Sequence, residues 1–215
     1  MTETNELYPK MFTWLFIGLL ISFITGYILS TNELLAIQVL SIGVLPIIII
    51  ELVIAFIMGL RIMKMKPLTM KICYVIYCFT TGVTFSSIFI IYKLTSLIAI
   101  FLATSLIFGG LALYGYKTKK DLSKLGQILL IGLIISLVVS LLNMMLFHST
   151  ITDLIITIIV VLIFCGYIVY DMKNIKTLLV EIGEEKAAVY GAFQLYLDFI
   201  NLFIRLIELF GKRKD

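Results

Sequence analysis

The chain has 215 residues, 61% hydrophobic and only 14% charged, with a mean hydropathy of +1.14. A soluble domain of this length is nearer half apolar and a quarter charged, so the composition excludes a soluble enzyme and implies an integral membrane protein. The net charge of +4 is small, and where the charges stand matters more than their sum.

The first ten residues, Met1 to Lys10, are acidic rather than basic, and no small-x-small cleavage site follows the first apolar run. That run, Phe12 to Leu29, is therefore expected to remain as a transmembrane helix. The second run, Ala36 to Leu60, contains Pro46 and Glu51 and ends in a basic connector, Arg61 to Lys71. The third covers Ile72 to Tyr92, the fourth Leu97 to Tyr116 and the fifth Leu125 to Phe147. The connector His148 to Asp153 leads to the sixth, with Thr152 or Asp153 expected as its N-cap. The sixth begins at Leu154 and is apolar to Tyr170; Asp171 to Leu179 contains no helix breaker, and the first turn-former after it is Gly183. The seventh is Val189 to Leu209. About 20 residues at ~1.5 Å rise cross a ~30 Å hydrocarbon core. The expectation is an all-α polytopic membrane protein, residues 1–215 forming a single domain of seven transmembrane helices with no soluble domain attached.

The cytoplasmic side is expected to carry Lys10, the basic connectors after the second and fourth runs, and Lys173, Lys176 and Lys186. The positive-inside rule then puts the amino terminus in the cytoplasm, with the basic tail Lys212–Lys214 as the discordant element. Small residues recur at four-residue spacing, as in Gly18, Ser22 and Gly26, in Gly82 and Ser86, and in Ser105 and Gly109. They are read as close-packing faces and nothing more. Cys73, Cys78 and Cys165 lie in apolar runs without a Cys-x-x-Cys, and His148 has no second ligand at helical spacing, so no disulfide framework or zinc site is expected.

The seventh run is the unusual one. It carries Gln194, Asp198, Asn201, Arg205 and Glu208, which at ~100° per residue fall within an arc of about 80°. A charge facing lipid costs at least ~2.5 kcal/mol, so this stripe must face protein or water. If the sixth and seventh helices form a hairpin turning near Gly183 to Glu185, Asp171 and Asp198 stand symmetric about position 184.5. Both then lie about 12–15 Å below the loop, and Glu51 reaches about the same depth from the second helix. Two carboxylates ~4 Å apart at an effective dielectric of ~20 repel by ~4 kcal/mol, so the pair is expected to share one proton and titrate as a unit. An oxygen-rich acid layer also suits transient Ca²⁺, with Asp171, Asp198 and Glu51 as its ligands. Gln194 and Asn201 are expected along the ion path, and Arg205 with Glu208 as a structural pair. Arg61 either snorkels to water or serves as a counter-charge to the acids; both readings stand.

Three segments, Tyr114–Leu125 (YGYKTKKDLSKL), Tyr167–Lys176 (YIVYDMKNIK) and Leu195–Phe203 (LYLDFINLF), resemble the Bax inhibitor-1 family, and its bacterial members in particular. The resemblance implies six helices around a central carboxy-terminal helix and a pH-sensitive calcium leak gated by a hydrogen-bonded aspartate pair. Asp171 and Asp198 occupy the family's paired-aspartate positions, Glu51 matches a membrane glutamate of the second helix, and Arg61 stands within about one residue of an arginine there. The function expected is a passive Ca²⁺ leak, not an enzyme, in a bacterial plasma membrane. No tightly bound cofactor is expected, and the partners are the bilayer, Ca²⁺ and protons, with no nucleic acid and a monomeric chain. Two alternatives use the same acids. A proton-coupled cation exchanger lacks the inverted repeat with paired broken helices. An intramembrane aspartyl protease needs Gly-x-Gly-Asp, where this chain has Leu195-Tyr196-Leu197-Asp198.

Overall fold

The computed structural model describes residues 3–214, with the side chains of residues 3–5, 33, 36, 39, 40, 42 and 44 outside the description. Among the described residues there are eight α-helices and no strand: α1 (Glu3–Thr31), α2 (Glu33–Ile42), α3 (Val44–Arg61), α4 (Pro67–Ile91), α5 (Leu94–Lys117), α6 (Ser123–Leu142), α7 (Thr150–Ile182) and α8 (Glu184–Phe210). A short π-helical turn, Asn143–Phe147, continues α6. Six of the described helices are long and apolar enough to cross a membrane, so the protein is a polytopic, all-helical membrane protein.

The helices overrun the apolar stretches that announce them, because polar end turns continue the hydrogen-bonding ladder into water. The second apolar stretch departs from expectation. Instead of one helix from Ala36 to Leu60, the chain breaks at Gly43, whose φ of 79° and ψ of 160° divide α2 from α3. Only glycine adopts that backbone region without strain. The cap of α7 also differs. Ser149 Oγ accepts from the Thr152 amide, while the Asp153 carboxylate is taken by Asn143 Nδ2 at 2.7 Å. At the start of α6, the Ser123 hydroxyl and amide donate to Asp121 and hold its carboxyl below the usual range.

The chain divides into two units. The first comprises Met1–Leu94, Ile175–Tyr196 and Arg213–Asp215. In it α1 packs closely on α4: a Cβ added at Gly82 would lie 2.6 Å from Thr25 Cβ and 2.8 Å from the Ser22 carbonyl. Phe23 meets Phe85 edge-on at 5.3 Å, and Tyr77 meets Phe193 of α8 at 5.2 Å. Ion pairs tie the α7–α8 turn to this unit, Lys10 to Glu184 at 2.6 Å and Lys71 to Glu185 at 2.5 Å. Lys186 Nζ donates to the carbonyls of Ile62 and Met63, just past α3.

The second unit comprises Thr95–Asn174 and Leu197–Lys212. Here the carboxy-terminal half of α8 meets α5 through Phe199 and Phe203, ringed by Phe101 and Phe108 at 5.4–6.0 Å. Gly115 of α5 lets the backbone of Val169 in α7 approach, and Gly126 of α6 lies under the Tyr170 ring. Across both units α8 is the most buried span, at 72% of its apolar window against 17–39% for the other five. Burial of that extent is what permits its polar stripe.

Candidate functional site

The site grows from the parts of α7 and α8 that belong to the second unit. α7 continues unbroken past Tyr170 because Asp171 to Leu179 contains neither glycine nor proline, and it stops at Ile182 because Gly183 takes φ = 77°. α8 starts at once, with Glu184 and Glu185 in its first turn, where carboxylates complement the helix dipole. The chain therefore reverses on one residue. Asp171 lies 12 residues before Gly183 and Asp198 15 after it. At ~1.5 Å per residue they sit about 18 and 22 Å along their helices from the turn, deeper than a looser turn centred on 184.5 implies.

The two aspartates meet. Their carboxyl groups are hydrogen-bonded to each other, and both residues are buried, with 6% and 4% exposure. A carboxyl group can donate only when protonated, so this bond requires a proton on the pair. Asp198 Oδ2 is buried and makes no hydrogen bond, as is also true of Thr81 Oγ1 and Ser87 Oγ among the described residues. Tyr167, one helical turn before Asp171, lies within electrostatic reach of both aspartates. Just outside, Lys173 Nζ donates to the Thr118 carbonyl at 2.6 Å and so is held at the end of α5.

The other expected site residues lie on α3 and α8. Glu51, half-buried in α3, accepts from Thr84 Oγ1 of α4 at 3.2 Å. Among the described residues no three His, Cys, Asp or Glu side chains are placed to hold a metal ion. Arg61 is exposed in the last turn of α3 and makes no ion pair among the described residues. Gln194 is half-buried in the first unit, one turn before Asp198. Asn201 turns back on its own helix, Nδ2 donating to the Leu197 carbonyl at 2.8 Å. Arg205 and Glu208 pair at 2.7 Å, and Thr157 of α7 donates to Glu208 at 3.5 Å.

A second buried polar junction lies in the first unit, outside the residues singled out from the sequence. Ser22 Oγ bonds the Tyr196 hydroxyl and the Cys78 carbonyl, joining α1, α4 and α8, and Tyr74 donates to the Trp14 carbonyl beside it. The available signal was a hydroxyl amid the Gly18–Ser22–Gly26 stripe, read only as a packing device.

The inner membrane protein YbhL of Escherichia coli (strain K12) is 40% identical over 147 residues, covering 66% of this chain and 62% of YbhL. A Borreliella burgdorferi protein is 39% identical over 147 residues, with 66% and 63% covered. The match thus spans under two thirds of the length of these relatives. A Deinococcus radiodurans protein is 31% identical over 217 residues, covering 99% of this chain and 93% of its own length. A family model described as "Inhibitor of apoptosis-promoting Bax1" matches residues 4–215, and with a match running through every helix and both aspartates, the chain belongs to the Bax inhibitor-1 family.

Proposed function

We propose that this protein is a passive, pH-gated Ca²⁺ leak of a bacterial plasma membrane, closed while Asp171 and Asp198 share a proton. The observation that carries the reading is the buried carboxyl–carboxyl hydrogen bond together with the orphaned Asp198 Oδ2. With the proton in place the two helices are clasped and the pair carries one negative charge at most. Without it, two carboxylates at ~4 Å repel by ~4 kcal/mol at an effective dielectric of ~20, enough to shift a two-state equilibrium about a thousandfold. The helices then part, or a cation enters between the acids, and Ca²⁺ suits all-oxygen sites of this kind. Protons bind the closed state more tightly, so flux rises with pH through the titration of the pair. Ca²⁺ is cargo here, and Glu51 lines the route in this reading.

The membrane path supports seven crossings with a cytoplasmic amino terminus. The contacts of Lys10, Lys71 and Lys186 bring the start of α1, the α3–α4 connector and the start of α8 to one membrane face. α1 leaves that face and α3 ends at it, so α2 and α3 together make the seventh crossing beside the six long spans. The test is flux into liposomes loaded with a calcium dye, across pH. Asparagine donates a hydrogen bond but does not titrate, so Asp171→Asn and Asp198→Asn should each flatten the pH profile. Unchanged flux and profile in both variants would sink the aspartate gate. Flux that stops when proton counter-movement is prevented would point to the exchanger instead.

A further inference from the structure

In the second unit, where α5 begins and α8 ends, lies an open cavity of about 490 Å³ that the aspartate pair does not use. Its two ends differ in chemistry. One end is formed by Thr95, Ser96 and Lys212; the rest is apolar, floored by Ala99 and Ala103 with Leu206 on the facing helix. We propose that this groove binds one anionic phospholipid, with its phosphate at Lys212 and an acyl chain laid along α5.

The sequence makes the groove. Thr95, Ala99, Ala103 and Ile107 recur every four residues and share one face of α5. The alanines leave a trough beside the projecting, exposed side chains of Ile98, Leu102 and Leu106. From Thr95 to Ile107 is 12 residues, or about 18 Å of helix, close to the ~15 Å depth of one leaflet of the hydrocarbon core. An acyl chain entering at the polar end therefore has apolar wall beside it through its own leaflet.

The polar end suits a phosphate. The Lys212 amide donates to Ser96 Oγ at 3.1 Å, which fixes the start of the tail over the first turn of α5. Ser96 still has its own hydroxyl proton to give. The Lys212 side chain is exposed and its ammonium has no carboxylate partner among the described residues. The first turn of α5 contains no acidic residue, so its unpaired amide donors meet no carboxylate of their own helix. A purely apolar ligand would leave Lys212 unused, and a free phosphate would leave the 18 Å trough unused. Only a molecule with an anionic head and a long apolar tail uses both.

Native mass spectrometry of the full chain, purified and exposed to equimolar phosphatidylglycerol and phosphatidylcholine, tests this. The wild type should retain phosphatidylglycerol about fivefold over phosphatidylcholine, the effect of one basic residue at an anionic surface. Lys212→Glu should bring that ratio to one or below. Ala103→Trp, at an exposed position on the lipid-facing surface, should reduce retention of both lipids while gel filtration still shows folded protein. Lys117→Glu, at the other end of α5, should leave the ratio unchanged. The proposal is overturned if Lys212→Glu keeps the preference or Ala103→Trp keeps the lipid. It is equally overturned if inorganic phosphate displaces the bound phosphatidylglycerol, which would make this an anion site alone.

Discussion

Single atoms decide most at the two buried polar junctions. The aspartate pair was legible because charged side chains inside an apolar run are costly and must face protein or water. The Ser22–Tyr196 junction was not legible, since a serine among glycines looks like a small packing residue whether or not its hydroxyl bridges helices. Its energetics are nonetheless asymmetric. Tyr196→Phe leaves Ser22 with the Cys78 and Gly18 carbonyls as acceptors, so it should cost about 1 kcal/mol, the net worth of one hydrogen bond. Ser22→Ala takes the partner from a fully buried tyrosine hydroxyl and should cost more, about 1–3 kcal/mol. Unfolding midpoints of the two variants in one detergent check the order. Equal midpoints would mean that Tyr196 finds another acceptor.

At the scale of the helix, hydropathy marks where a helix exists but not whether it is interrupted. The stretch from Ala36 to Leu60 is predominantly apolar, with Glu51 its one charged residue, and Pro46 invites the eye as its weak point. The break falls three residues earlier, at a glycine with no Cβ to clash. Gly43→Ala has open space around it, yet a Cβ at φ = 79° and ψ = 160° should cost about 1–3 kcal/mol through backbone strain alone. The small-residue stripes show the same limit. Gly82 and Gly109 stand in like patterns, but only Gly82 has a neighbouring helix against it; nothing lies within 4 Å of a Cβ at Gly109. Gly82→Ala should therefore cost about 1–3 kcal/mol by overpacking. Gly109→Ala should cost nothing, since alanine is the better helix former by about 1 kcal/mol. Thermal unfolding of the three variants separates strain, overpacking and propensity. Four-residue spacing says that a face is smooth, and only the partner helix says what the smoothness is for.

The whole molecule is organised by which ends of its helices share a membrane face, and here charge counting and structure bear on each other. Counting lysines and arginines set the basic tail against the other connectors, because Lys212, Arg213 and Lys214 fall where the outer face is expected. The structure gives that tail a partner. Arg213 bridges Tyr92, and Lys214 donates through its amide to the Ile91 carbonyl and through Nζ to the Phe89 carbonyl, all at the end of α4. α4 starts on the face where Lys71 pairs with Glu185, so its other end, and the tail with it, belongs to the opposite face. The Lys214 ammonium thus sits on a carbonyl at the end of α4, where a cation is favoured, and this lysine counts little toward a cytoplasmic signal. The expected outcome is that alkaline phosphatase fused after residue 215 is active and green fluorescent protein fused there is dark. Fusion after Lys66, in the α3–α4 connector, should give the reverse. A fluorescent carboxy-terminal fusion would place both termini in the cytoplasm and make α8 re-entrant. In that case Asp198 would sit on a helix that enters and leaves by one face, and a path through the aspartate pair would have no far side to open onto.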